Sequence, residues 1–97
     1  MTVKIHIPTP LQPLTNNQAA VEVQGKTIKE VLLELEHQFP EVRKRLYDDN
    51  GNLRRFINIY INEEDIRFLN GPDTEVNDND EISIIPAIAG GKERFAL

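Results

Sequence analysis

The sequence predicts an α+β domain in which a mixed sheet of four to five strands carries one main helix packed on one face. Three observations point there. Residues 2 to 7 alternate, with Val3, Ile5 and Ile7 on one side and Lys4 and His6 on the other, the period of a half-buried strand. Ile28, Val31, Leu32, Leu35 and Phe39 recur at offsets 0, 3, 4, 7 and 11, which lays one apolar stripe along a helix. Ile57, Ile59 and Ile61 alternate with Phe56, Asn58 and Tyr60, a second one-sided strand whose isoleucines need a helix over them.

The remaining elements follow in order. Pro8, Pro10 and Pro13 with Thr15-Asn16-Asn17 predict a loop, because proline donates nothing to a strand ladder and asparagine favours turns. Ala19 to Val23 reads as a second strand, a hairpin partner of the first, ended by Gly25. Thr27-Ile28-Lys29-Glu30 fits a capping box, with Glu30 reaching back to the cap, and opens a helix from about 27 to 39 that Pro40 stops. Glu41 to Leu46 reads as a short helical turn whose Val42 and Leu46 close one end of the core, and Asp48 to Asn52 as a turn. The strongest strand spans Arg54 to Asn62. A tight turn at Glu63-Glu64, a short strand from Asp65 to Leu69 and turns at 70–73 and 77–80 lead to the last strand, Glu81 to Ile85.

A chain of 97 residues forms one domain and buries roughly 60–65% of its unfolded surface. The expected division is a globular unit over residues 1–89, the glycine pair 90–91, and an extension 92–97. If the first and last strands pair at the centre, the helix lies in the crossover between the two halves, which is the β-grasp, or ubiquitin-like, architecture.

Composition removes several function classes. A formal charge of −5 argues against nucleic acid, whose binding draws on clustered Lys and Arg. The short cluster Arg43-Lys44-Arg45 sits among Glu41, Asp48 and Asp49 and reads as a solvated face. The acidic balance favours a partner with a basic docking face. No apolar run approaches the roughly 20 residues that span a bilayer, and no leader pattern opens the chain, so no membrane partner and a cytoplasmic location are expected. With no cysteine there is no disulfide, thiolate ligand or nucleophilic thiol. His6 and His37 lack ligand spacing, so no metal is expected. The acidic groups at 63–65 and 78–80 fit turns better than a calcium loop. No Ser-His-Asp set, phosphate-cradling glycine loop or cofactor fingerprint occurs, so the chain is expected to carry no catalytic residues and no bound cofactor.

The chemistry lies near the C-terminus, in Ile84-Ile85-Pro86-Ala87-Ile88-Ala89-Gly90-Gly91. A strand runs into a proline, then small residues, then two glycines. Without a Cβ, Gly90 and Gly91 pass a narrow channel and leave the carbonyl open to a nucleophile. The five residues beyond Pro86 reach about 17 Å when extended, enough to enter another protein's cleft while the globule stays outside.

Phe56-Ile57-Asn58-Ile59-Tyr60-Ile61-Asn62, Glu64-Asp65-Ile66-Arg67 and Asp80 to Gly91, with the opening Ile7-Pro8-Thr9, resemble the ubiquitin-fold sulfur carriers of the MoaD/ThiS type. These include the small subunit of molybdopterin synthase, the carrier of thiamine thiazole synthesis and the carrier that feeds cysteine synthesis; the opening segment is most similar to the last. The resemblance implies a carrier rather than a catalyst. The terminal glycine carboxylate is adenylated by an E1-like enzyme that uses ATP, and sulfur then replaces AMP to give a thiocarboxylate for a sulfur-accepting synthase. Since the chain has no cysteine, carried sulfur must ride on the carbonyl of Gly91. Lys92 to Leu97 depart from the family pattern, so a peptidase is expected to cut between Gly91 and Lys92.

Partner contact is expected at Ala87, Ile88 and Ala89 in the tail and at Phe56, Tyr60 and Ile85 on the sheet face away from the helix. Lys4, His6, Asn58 and Ser83 share that face by alternation. Exposed apolar residues beside the root of the tail mark a partner surface. Two other readings stand beside the carrier: a protein modifier joined to a lysine through Gly91, and an interaction module whose glycines take no part in chemistry.

Overall fold

The computed structural model describes residues 2–86. The strand nearest the C-terminus, β5 (Glu81–Pro86), is the middle of a five-stranded sheet. The order is β2-β1-β5-β3-β4, with β1 at Thr2–His6, β2 at Ala20–Gln24, β3 at Ile57–Ile61 and β4 at Glu64–Asp65. β1 runs parallel to β5 and antiparallel to β2, while β3 is antiparallel to both β5 and β4. This is the expected β-grasp arrangement, at the upper end of the anticipated strand number.

The main helix, α1 (Ile28–Gln38), starts where its cap dictates: Thr27 Oγ1 accepts the Glu30 N–H at 3.2 Å. The returning bond differs from the expected box. Glu30 Oε1 accepts the N–H of Lys26 at 2.8 Å, one residue before the cap. From the other side, Ile28 N–H donates to the Thr74 carbonyl and Val76 N–H to the Lys26 carbonyl, both at 3.0 Å, so the entry to the helix is tied to the segment before β5. Gly25 makes the sharp approach possible, since a Cβ there would lie 2.9 Å from both the Cγ2 and the backbone nitrogen of Val31.

Ile28, Val31, Leu32 and Leu35 bury against Val3, Ile5, Ile59, Ile61, Ile82 and Ile84 in one contiguous core. The short α2 (Val42–Leu46) closes one end with Val42 and Leu46, both buried. Glu36 is the exception on the α1 stripe. Its buried carboxylate takes one bond from Arg43 Nη1 at 3.0 Å.

Several local expectations give way to the structure. The proline-rich segment is a 3₁₀ helix, Thr9–Thr15, rather than a loop. Pro10 occupies a first-turn position that needs no N–H, and the buried Thr15 hydroxyl is held by the carbonyls of Gln12 and Gln18. The strand expected over 65–69 stops at Asp65 and becomes a 3₁₀ turn, Ile66–Phe68. Asp65 Oδ1 accepts the Arg67 N–H at 2.8 Å, a side-chain bond that competes with the ladder. The tight turn falls on Asn62 and Glu63, at φ 48° and 76°, one residue earlier than expected. β3 begins at Ile57 rather than Arg54, because the Arg54 N–H donates back to the Leu46 carbonyl at 2.8 Å. β2 and β5 each end one residue later than expected. Among the described residues no helix is long and apolar enough to cross a membrane.

Candidate functional site

The site is built around the exit of β5. Ile82 and Ile84 point into the core and are buried, which leaves Ser83 and Ile85 on the opposite face. β1 pairs with β5 only as far as His6 opposite Ser83, whereas β3 continues to Ile57 opposite Pro86. The last three residues of β5 are therefore held by β3 alone. Pro86, without an N–H, is the last described residue of the strand and lies opposite Ile57.

Tyr60 and Ile85 lie where the alternation put them, while Phe56 falls in the turn just before β3. Ile85 faces Asn58 directly across the β3–β5 pair, and Tyr60 and Phe56 stand two positions to either side of Asn58, within reach of a diagonal contact. Phe56 is 57% exposed and Ile85 44%, while Tyr60 is half-buried. The result is an apolar surface on the open face of the sheet, next to the strand that leads into the tail. Ala87, Ile88, Ala89, Gly90, Gly91 and Lys92 lie outside the described residues, as do the proposed boundaries at 89 and 91.

The two histidines are far apart in role. His37 is exposed on α1. His6 Nε2 lies 2.7 Å from Glu81 Oε1, a cross-strand pair on the open face that sequence alternation alone did not single out. Among the described residues no three His, Cys, Asp or Glu side chains converge as metal ligands. Asp65 and Arg67 form a second pair at 2.7 Å. The side-chain hydrogen bonds from Arg67, reinforced by its backbone N–H, hold the Asp65 carboxyl below the usual carboxylate range.

The basic cluster Arg43-Lys44-Arg45 is exposed, as the sequence suggested. Arg43 turns toward Glu36. Lys44 and Arg45 instead line a groove of about 340 Å³ together with Arg54, Phe56 and Pro86. Arg54 reaches α2 because its Nε donates to the Lys44 carbonyl at 3.0 Å. Sequence reading missed this convergence because eight residues, a turn among them, separate the two arginine-bearing segments. The clue available was the density of cations: Arg43, Lys44, Arg45, Arg54 and Arg55 are five of the chain's eleven.

The chain matches the ThiS family over residues 5–91. It is 43% identical over 93 residues to the Mycobacterium tuberculosis "Sulfur carrier protein CysO", covering 94% of this chain and 100% of the relative. Its fold is similar to that of a chain in the crystal structure of the Amycolatopsis orientalis BexX/CysO complex, with a TM-score of 0.84 and 40% identity over 92% of this chain and 99% of that one. The solution structure of small archaeal modifier protein 1 from Methanosarcina acetivorans gives a TM-score of 0.81 and 30% identity, covering 93% of this chain and 96% of the other.

Proposed function

The chain belongs to the ThiS family, and from that premise we propose that it is a sulfur carrier whose activated group is the carboxylate of Gly91. The observation that carries this reading is the extent of the family match, which ends on Gly91 and leaves Lys92 to Leu97 beyond it. The chain then acts as a cosubstrate, without catalytic residues of its own. A peptidase first removes Lys92 to Leu97. An oxygen of the freed Gly91 carboxylate attacks the α-phosphorus of ATP on an E1-like enzyme, and pyrophosphate leaves. A sulfur nucleophile supplied by the activating system displaces AMP, and the thiocarboxylate passes to a sulfur-accepting synthase.

β5 supports this reading, since buried Ile82 and Ile84 anchor the strand that leads into the tail, and glycines without a Cβ would pass a narrow channel. Phe56, Tyr60 and Ile85 would dock the partner, and Ala87, Ile88 and Ala89 would line its channel. Similarity to a carrier named CysO favours cysteine synthesis as the receiving route over the molybdopterin and thiamine routes.

The absence of cysteine gives a clean test. A thiol-selective alkylating reagent has no cysteine to label in the unmodified chain. The protein purified from its own source should therefore take up one label, mapped to Gly91. A protein that remains unlabelled under conditions where the activating system is active contradicts the proposal. The similarity to an archaeal protein named as a modifier favours a second reading, conjugation through Gly91 to a lysine. Covalent adducts in place of the label would support it.

A further inference from the structure

We propose that the groove formed by Lys44, Arg45 and Arg54 is a docking surface for an acidic segment of the enzyme that takes the tail. The inference rests on the carrier reading, because it needs a partner that engages Gly91. Three features support it. The first is position: Pro86, the last described residue of β5, lines the groove, and Gly91 is five residues further on. Extended chain limits that span to about 17 Å, so a protein that holds Gly91 in its active site comes within that distance of the groove.

The second is charge. The chain carries −5 overall, yet here three cations from two segments face one opening. Among the described residues, Arg45 makes no ion pair, and Lys44 has only Glu41 at 3.9 Å, both side chains being largely exposed. Such a pair is weak, so the groove keeps a net positive character toward a partner. Arg54 is held in place by its bond to the Lys44 carbonyl, so its guanidinium is presented without ordering a free side chain on binding. The third is the apolar part of the lining: Leu11, Phe56 and Ile57 share the groove with the cations, a mixture that suits a peptide with both acidic and apolar residues rather than a bare phosphate backbone. A basic patch on an acidic protein also orients the encounter, because a partner's acidic segment is repelled elsewhere and drawn to the root of the tail.

The test uses the chain ending at Gly91 and the carrier-dependent ATP–pyrophosphate exchange activity purified from the source organism. Lys44→Glu combined with Arg45→Glu should raise the KM for the carrier about tenfold, leave the rate at saturation unchanged, and flatten the dependence of KM on salt. Lys26→Glu with Lys29→Glu, at the start of α1 and outside the groove lining, should leave KM unchanged. Arg54 is kept in the principal variant because it also bonds α2, and an unchanged melting temperature checks the fold. An unaltered KM in the K44E/R45E variant overturns the groove while the exchange itself still supports the carrier reading. No exchange with the unsubstituted chain overturns both. If a labelled single-stranded oligonucleotide binds the groove in preference to the enzyme, or if sedimentation shows a dimer that the variant dissolves, the occupant is a nucleic acid or a second copy and the proposal fails.

Discussion

Asn62 and Glu81 exchange two hydrogen bonds: the Asn62 N–H donates to the Glu81 carbonyl at 2.9 Å, and the Glu81 N–H donates to Asn62 Oδ1 at 3.0 Å. The Asn62 amide nitrogen adds a bond to Asp80 Oδ1 at 2.8 Å. One residue in the turn after β3 thus fixes where β5 begins, and with it the register that carries Ile85 to the open face and Pro86 to the root of the tail.

Asn62 also holds a positive φ of 48°, which asparagine and glycine tolerate better than alanine. Asn62→Ala should therefore cost about 1–3 kcal/mol, combining lost hydrogen bonds and backbone strain. Asn62→Gly removes the same side-chain bonds without the steric part. Urea unfolding of both variants should place the glycine variant between wild type and alanine. Equal losses would show that the backbone conformation contributes nothing.

The exposed aromatic beside the tail separates folding from partner engagement. Phe56→Asp removes a side chain that is already 57% exposed, so the unfolding free energy should change by no more than about 0.5 kcal/mol. Loss of a buried interface anchor typically costs about 2 kcal/mol or more of binding, so adenylation of Gly91 should weaken more than tenfold in KM. Normal adenylation of this variant by the activating enzyme would remove Phe56 from the interface.

The pairing of Asp65 with Arg67 has a defined pH signature. Asp65 has a lowered pKa in the folded state, through the side-chain and backbone hydrogen bonds of Arg67, against an ordinary value of 3.8. Its ionised form then stabilises the fold at pH values above the unfolded pKa, and that contribution is lost as the pH falls through the lower folded value. Asp65→Asn cannot titrate. Its melting temperature should lie below wild type at neutral pH, with the gap constant down to about pH 4 and closing below it. A gap that stays constant to pH 2 would mean that the carboxylate's charge is not what stabilises the turn.

Much of this was legible in the sequence because the signals are local and periodic. The α1 stripe, its Thr27 cap and the one-sided isoleucines of β3 each depend on neighbours within a few residues, and the structure keeps them. The central place of β5 was a condition of the β-grasp reading rather than a consequence of the sequence pattern, and the strand order meets it. What escaped was set by longer contacts or by side-chain competition. Asp65 capping Arg67 turned an expected strand into a 3₁₀ turn, Pro10 entered a helical first turn instead of a loop, and Glu30 found Lys26 rather than Thr27. The juxtaposition of Arg54 with Lys44 and Arg45 needed the fold of the 46–54 segment, which no spacing encodes. Tyr60 and Ile85, by contrast, were readable from alternation once the strand order was known.

Gly91 is proposed as the sulfur-bearing terminus of the mature chain. The most direct test is the intact mass of the protein purified from its own source. A chain ending at Gly91, with one carboxylate oxygen replaced by sulfur in a fraction of the molecules, is the predicted result. A protein that retains Lys92 to Leu97 throughout, in cells where the sulfur-accepting route is active, would contradict it.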